Sequence, residues 1–487
     1  MKRCFHRLCC LLLALAAVFT VCGCSGESSG QASDAEKLIR LEGDSVSFSG
    51  DGISVSGNTI RITQAGKYVV TGSLDNGRIQ IETAKGDPDV TLVLENAHIT
   101  CLNNSAIHVV QANKLKLVMA EGTDNSITSG SVQMLEKHDP NAEGAAVYSE
   151  DDLDLEGTGS VRIFGYINNG ITCKDDLTVQ GGNVTVVAAN NGLRASESIQ
   201  FENGNVTVDA KNDGLKTTSD KKEGKGYISF LGGTAAVTAR GDAVSAQTQF
   251  HMMDGALTVT TEGDPEQSSC KGIKANAGVV ISGGSIRANT ADHCIKSDDT
   301  LTVQSGVLEL TSTEGKGLSA EKQILVENGT ISIRAVDDGM DTPNAITITG
   351  GELTISAGED GIKAGKSGDS NLNNGLITIS GGTIYISAYQ DSIDAKTELS
   401  LKGGSIFALS NTTKELGFGN AAAQPVLFGS LKGIAGQSVT LSDAAGKTIF
   451  SMEAAYSFCT VQATAKTLVT GSQYTMDTGS ERVQIGG

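Results

Sequence analysis

The stretches IKANAGVVISGGSIRANTADHC (273–294), LSAEKQILVENGTISIRAVDDG (318–339) and MDTPNAITITGGELTISAGEDG (340–361) decide the fold of this chain. Each is 22 residues long and all three share one frame, as do ITCKDDLTVQGGNVTVVAANNG (171–192) and LRASESIQFENGNVTVDAKNDG (193–214). Units at 215–243, 244–272 and 362–392 keep the frame but hold extra residues, such as SDKKEGKG and KSGDSNLNN, and the unit at 295–317 is one residue longer. A fixed period of this kind marks a solenoid, whose units bury their apolar faces against their neighbours. Insertions at one register predict loops on one side of the stack.

Inside each unit two short runs alternate apolar and polar residues, as in Leu177-Thr-Val and Val184-Thr-Val, or Ile346-Thr-Ile and Leu353-Thr-Ile. A period of two is the signature of a strand. Between the runs stands Gly181-Gly182, Asn203-Gly204, Gly350-Gly351 or Gly381-Gly382, residues suited to the positive φ of a tight corner. A second corner, Asx-Gly, leads into a third run that reads aliphatic, polar, small: Ile171-Thr-Cys, Ile273-Lys-Ala, Ile362-Lys-Ala, Ile393-Asp-Ala. Its outer residues point inward and its middle residue points to solvent. Three strands per coil, stacked in register, predict an all-β parallel β-helix. The leucine-asparagine consensus and helices of a leucine-rich repeat are absent.

Sixty glycines, five prolines and 4% aromatics suit a turn-dense all-β chain. The N-terminus carries Lys2, Arg3 and Arg7, an apolar stretch from Leu11 to Val21, then Val21-Cys22-Gly23-Cys24-Ser25. This resembles a bacterial lipoprotein signal ending at Cys24, and the apolar run is shorter than the ~20 residues a spanning helix needs. The expected organisation is a signal at 1–23, a flexible tether at 24–40, a β-rich start of the solenoid at 41–144, coils at 145–411 and a small β cap at 412–487. The mature protein would sit outside the cell, held to the bacterial membrane through lipidated Cys24. Loss of the signal takes the net charge from −19 to −22, which excludes nucleic acid and anionic lipid headgroups as partners.

Five cysteines remain after Cys24, an odd number that implies no complete disulfide framework. Cys173 falls at an inward position and reads as a packed thiol. Cys270 and Cys294 lie on neighbouring coils two positions apart in register, and their pairing stays open. His98, His108, His138, His251 and His293 show no ligand spacing and read as surface or turn residues.

The segments ISVSGNTIRITQAGKYVVTGSLDNGRIQIETAKG (53–86), AEGTDN (120–125) and EGTGS (156–160), with the recurring NDGLK and EDGIK steps, carry a resemblance that runs from about residue 41 to the C-terminus. The chain resembles the bacterial surface β-helix proteins described as carbohydrate-binding, of the clostridial type that binds cellulose and polygalacturonate. The resemblance implies a right-handed, pectate-lyase-like β-helix, calcium on an acidic face, and plant or gut polysaccharide as partner. Early coils depart from the pattern: Asn169 and Asn191 stand where the family favours Asp, and Ala243 and Cys294 replace the glycine. Asp213 is the one early-coil candidate for a second metal.

In-register stacking turns the Asx-Gly corner into a vertical row: Asn169, Asn191, Asp213, Asp242, Lys271, His293, Lys316, Asp338, Asp360, Asp391. Acid density peaks on three consecutive coils, with Asp337, Asp338 and Asp341, then Glu359 and Asp360, then Asp391 and Asp394. Like charges one rung apart repel by about 3–4 kcal/mol at an effective dielectric near 20, and calcium, with its six to eight oxygen ligands, would offset this. Asp337-Asp338-Gly-Met-Asp341 also resembles the Asp-Asp-x-x-Asp calcium motif of one pectate lyase family, in which a lysine acts as Brønsted base; Lys363 is the matching candidate. Turn chemistry accounts for many Asx-Gly pairs without any metal, and Lys363 between Asp341 and Asp394 also reads as a neutralising charge. The chain lacks Trp, and outward aromatics are confined to Phe164, Tyr166, Tyr385 and Tyr389, which favours an acidic polysaccharide over crystalline glucan. The leading expectation is calcium-dependent binding of a polygalacturonate-like polysaccharide, with cellulose as the other ligand of the family type. A calcium-dependent polysaccharide lyase and a surface adhesin without a glycan ligand stand as alternatives.

Overall fold

A computed structural model describes residues 36–137, 144–366, 371, 374–414, 416 and 422–486. Apart from the 3-10 turn Val132–Lys137, its regular elements are all strands. They form a parallel β-helix whose coils contribute a four-residue strand, a six-residue strand and a three-residue strand in turn, as in Ser198–Phe201, Asn205–Ala210 and Leu215–Thr217. We call the resulting ladders the middle, long and short sheets. The short sheet registers Ile171 with Leu193, Leu215, Val244, Ile273, Ile295, Leu318, Met340, Ile362 and Ile393 in turn. The frame read from the sequence is therefore the physical register.

The core is a column of the inward residues. Ile171, Leu193, Leu215, Val244, Ile273, Ile295, Leu318, Met340 and Ile362 are all inaccessible to solvent, each such aliphatic adding roughly 1.5–3 kcal/mol through burial. Phe201 and Phe230 stack face to face inside the column, with ring centroids 4.2 Å apart.

The two glycine corners work by different physics. Gly182, Gly204 and Gly351 have φ of 80°, 87° and 91°, as a tight turn requires. The glycine of the Asx-Gly corner does not have positive φ. A Cβ on Gly192 would lie 2.2 Å from Val208 Cγ1 and 2.6 Å from the Gly214 carbonyl oxygen, so what excludes a side chain there is close packing on the neighbouring sheet and coil.

Residues 41–144 begin the solenoid. Thr59–Ile62, Arg78–Glu82 and Ile107–Gln111 are the first parallel rungs of the short sheet. Val90–Cys101 runs through both other sheets, pairing with Lys114–Met119 at one end and Asp124–Ser129 at the other. The strand Lys37–Gly43 starts inside the stretch expected to be tether, because Ile39 and Leu41 alternate into the core. Residues 1–35, including the expected signal and Cys24, lie outside the described residues.

The expectation of insertions on one side is corrected. Among the described residues, SDKKEGKG (219–226) follows a short-sheet strand, but 263–270 precedes one. Insertions therefore flank the short sheet on both edges. The corner between middle and long sheets stays tight because its glycines stack on one another, with a Cβ on Gly204 falling 2.8 Å from the Gly181 carbonyl carbon.

At the far end Phe458–Thr464 pairs antiparallel with the last long-sheet strand, Ser405–Ser410, and Val426–Gly433 pairs beyond it. A four-stranded antiparallel sheet completes this cap. Its own core stacks Phe450 on Phe407 at 5.2 Å. Tyr385 meets both rings edge-on, so this tyrosine belongs to the cap junction. Cys270 and Cys294 are buried free thiols, which leaves the open pairing unformed; burial pushes Cys294 up to about 12.

Candidate functional site

The Asx row is first a backbone device. Asn169 Oδ1 accepts the Asn191 N–H at 3.0 Å, and Asn191 Oδ1 accepts the Asp213 N–H at 3.3 Å. Asp213 Oδ1 accepts from Asp242 and Asp242 Oδ1 from Lys271, at 2.8 and 2.9 Å. On the late coils Asp338 Oδ1 accepts the Asp360 N–H at 3.1 Å, and Asp360 Oδ1 accepts that of Asp391 at 2.9 Å. Each side chain satisfies the amide one coil onward, a donor at a bend that would otherwise be orphaned. Asp338 is wholly inaccessible and Asp360 nearly so, which corrects the picture of seven carboxylates lying together on the surface.

Lysines take up much of the remaining charge. Lys316 Nζ binds Asp338 Oδ2 and lies 3.1 Å from Asp341 and 3.6 Å from Asp337. Lys363 Nζ is 3.0 Å from Asp360 and 3.4 Å from Asp338. Lys414, from beyond the repeat, reaches Asp391 at 2.9 Å and Asp394 at 2.5 Å. Seven carboxylates against three lysines leave a surplus of four negative charges.

Part of that surplus falls at one corner. Asp337, Asp338 and Glu359 bring carboxylate oxygens within 4.8 Å of one another, the one such acidic group among the described residues. Glu359 is pushed above its ordinary value by partial burial and then by the charges of Asp337 and Asp338. Asp341 is also raised, by burial and by Asp338, against the pull of Lys316. Asp337 and Glu359 are the more accessible pair, although Asp337 Oδ1 accepts the Asp338 N–H at 2.7 Å; Asp338 is engaged with Lys316, Lys363 and a backbone amide. Asp391 and Asp394 are held by Lys414 instead, and Asp213 by Lys216 at 2.6 Å. None of these three joins the cluster.

Lys363 registers one coil beyond Asp341, as the repeat implied. Burial works against its charge, but the Asp360 hydrogen bond and the charges of Asp338 and Asp360 outweigh it and hold the ammonium well above the ordinary lysine range. A Brønsted base must be free of its proton, and these contacts oppose that.

Two features escaped the periodic reading. Lys414 lies outside the repeat and has no positional signal. Tyr148 is an outward short-sheet residue, in register with Thr172, but the insertion at 130–144 breaks the spacing that would have revealed it.

Repeated coils, three stacked parallel ladders and an outward polar row define a parallel β-helix. The family model for carbohydrate-binding domain-containing proteins matches residues 56–316 and 305–485, and the chain belongs to this carbohydrate-binding family. A carbohydrate-binding domain-containing protein of Acetivibrio thermocellus is 31% identical over 186 residues, 37% of this chain. The match spans 65% of that relative, just under two thirds of its length. A solved structure, described as a gadolinium derivative of the polysaccharide lyase-like protein from C. thermocellum, is 28% identical with a TM-score of 0.40, covering 59% of this chain and 99% of that one.

Proposed function

We propose that this protein is a lipid-anchored surface lipoprotein that binds acidic polysaccharide of the polygalacturonate kind through calcium, holding it near the cell. The observation that carries this reading is the convergence of Asp337, Asp338 and Glu359 within 4.8 Å at a corner where lysines leave negative charge uncompensated. Calcium accepts irregular carboxylate geometry and keeps coordination positions for oxygens of a bound uronate. Asp337 and Glu359 would supply most of the protein ligands, and Asp338 would orient them from below. Binding is favoured over lyase chemistry because Lys363 is tied to two aspartates.

Calorimetric titration of the form beginning at Ser25, with and without polygalacturonate, tests the proposal. The expected result is calcium binding that raises uronate affinity, with both effects lost in Asp337→Asn and Glu359→Gln. Absence of calcium binding would reduce the acidic corner to turn chemistry and bring the adhesin reading forward. Accumulation of an unsaturated product that disappears in Lys363→Ala would instead establish the lyase. For the anchor, Cys24→Ser should move the protein from the membrane fraction to the medium.

A further inference from the structure

A second feature of the outward row lies far from the acidic corner. On the early coils the short sheet presents His108, Tyr148, Thr172 and Arg194 in successive register. Thr172 is small and buried, and its hydroxyl accepts a hydrogen bond from Asn169 Nδ2 at 3.0 Å. The row therefore dips between Tyr148 and Arg194. A groove of about 600 Å³ follows, lined by His108, Tyr148, Asn168, Lys174 and Arg194 among others, within the usual range for a small-molecule site of roughly 300–1,000 Å³.

Its polar groups are of a kind that recognises an anion. Arg194 is half-buried and, unlike most cations on the row, pairs with no carboxylate among the described residues. Guanidinium is the side chain best shaped for two parallel hydrogen bonds to a carboxylate. Lys174 brings a second positive charge, its Nζ 5.8 Å from the centre of the Tyr148 ring. The buried Nδ1 of His108 has no hydrogen-bond partner, an uncommon state for a buried polar atom. Its ring meets Tyr148 edge-on at 5.4 Å. Glu150, the acid on this rim, is engaged by the Tyr148 hydroxyl at 3.0 Å. An aromatic ring beside an unpaired guanidinium matches a sugar ring with a carboxylate on its edge.

Beyond Arg194 the same outward row continues with Lys216, Ser245, Lys274 and Lys296 before it reaches Asp341. Asp341 is eight coils from Tyr148, about 38 Å at ~4.8 Å per coil. Acids enter the row only at its end, where Asp341 and Asp394 flank Lys363.

We propose that the groove between Tyr148 and Arg194 is a second, metal-independent subsite for a carboxylate-bearing sugar residue, and that the lysine row links it to the calcium corner. This rests on the acidic-glycan reading above, but it places binding on different residues and without a cation. A long chain would engage both ends; a short one would reach the groove alone.

The test is titration of the full mature chain with a short oligogalacturonate in the presence of EDTA, with a neutral cello-oligosaccharide as control. The expected result is binding of the acidic probe alone, weakened at least tenfold in Arg194→Gln and in Tyr148→Ala. Unchanged thermal unfolding of Arg194→Gln is the folding control, since this side chain holds no ion pair. Lack of binding in EDTA, or binding that Arg194→Gln leaves intact, overturns the subsite even where calcium-dependent binding persists. Equal affinity for the neutral probe overturns its assignment to a carboxylate. Conversely, EDTA-resistant binding that calcium does not strengthen would sustain the groove and remove the calcium corner.

Discussion

The early and late coils solve one backbone problem with different side chains, and the difference decides what each end can do. At Asn169 and Asn191 the acceptor for the next coil's amide is a neutral carboxamide, whose NH2 can bond as well: Asn191 Nδ2 donates to Asn169 Oδ1 at 3.0 Å. This end needs no counter-charge, so its cation Arg194 is left for a ligand. At Asp338 and Asp360 the acceptor is a carboxylate. Its second oxygen and its charge remain after the amide is satisfied, and they draw in Lys316 and Lys363. The surplus acid beyond those lysines is what suits the late end to a divalent cation. Turn chemistry and the proposed metal chemistry would be layers of the same residues there.

The sharpest way to break the comparison is to remove the acceptor at each end. Asp338→Ala should cost about 3–5 kcal/mol, because it strips a buried partner from two lysines and from the Asp360 amide. Asn191→Ala should cost less, about 1–3 kcal/mol, since only neutral groups lose partners. Denaturant unfolding of both variants reads the gap, and equal losses would contradict the layered picture.

A gentler pair exchanges the two chemistries. Asp338→Asn keeps an acceptor for the backbone and should lose about half as much stability as Asp338→Ala, while weakening calcium binding. Rescue by Asn of the fold but not of the metal response, followed by thermal shift with and without calcium, separates the structural layer from the ligand layer.

The smallest effect concerns pH. Burial and neighbouring carboxylates raise Glu359 and Asp341 above their ordinary values of 4.5 and 3.8. In the window just above those values the native state holds more protons than the unfolded state. For these groups in the metal-free protein, stability therefore rises as pH falls into the window and declines as pH rises out of it. Calcium needs the ionised form, so the stabilisation it confers should shrink from neutral pH toward 4.5, and Glu359→Gln should show no calcium stabilisation at either pH. Melting curves at two pH values with and without calcium would show it.

Much of this was legible because a β-helix converts sequence period directly into spatial neighbourhood. Once Ile273, Ile295 and Leu318 share a frame, their outward neighbours Lys274, Lys296 and Ser319 must stack, and the row of Asx residues follows without further information. Legibility ended where the period did. The insertion at 130–144 hid Tyr148, and Lys414 enters the late cluster from a segment with no repeat. The regular spacing also could not separate a carboxylate facing solvent from one turned under its own corner. Asp337 and Asp338 are adjacent letters, yet one is accessible and the other sealed.

By itself the sequence determined the fold class, the coil register, the inward column and the location of acid density, because each depends on local alternation repeated at a fixed interval. Only the tertiary structure decided which acids are spent on backbone amides, which lysines reach them, and that Arg194 is left unpaired beside Tyr148. Those outcomes depend on angstrom-scale distances between coils and on solvent access, and both arise only when the stack closes.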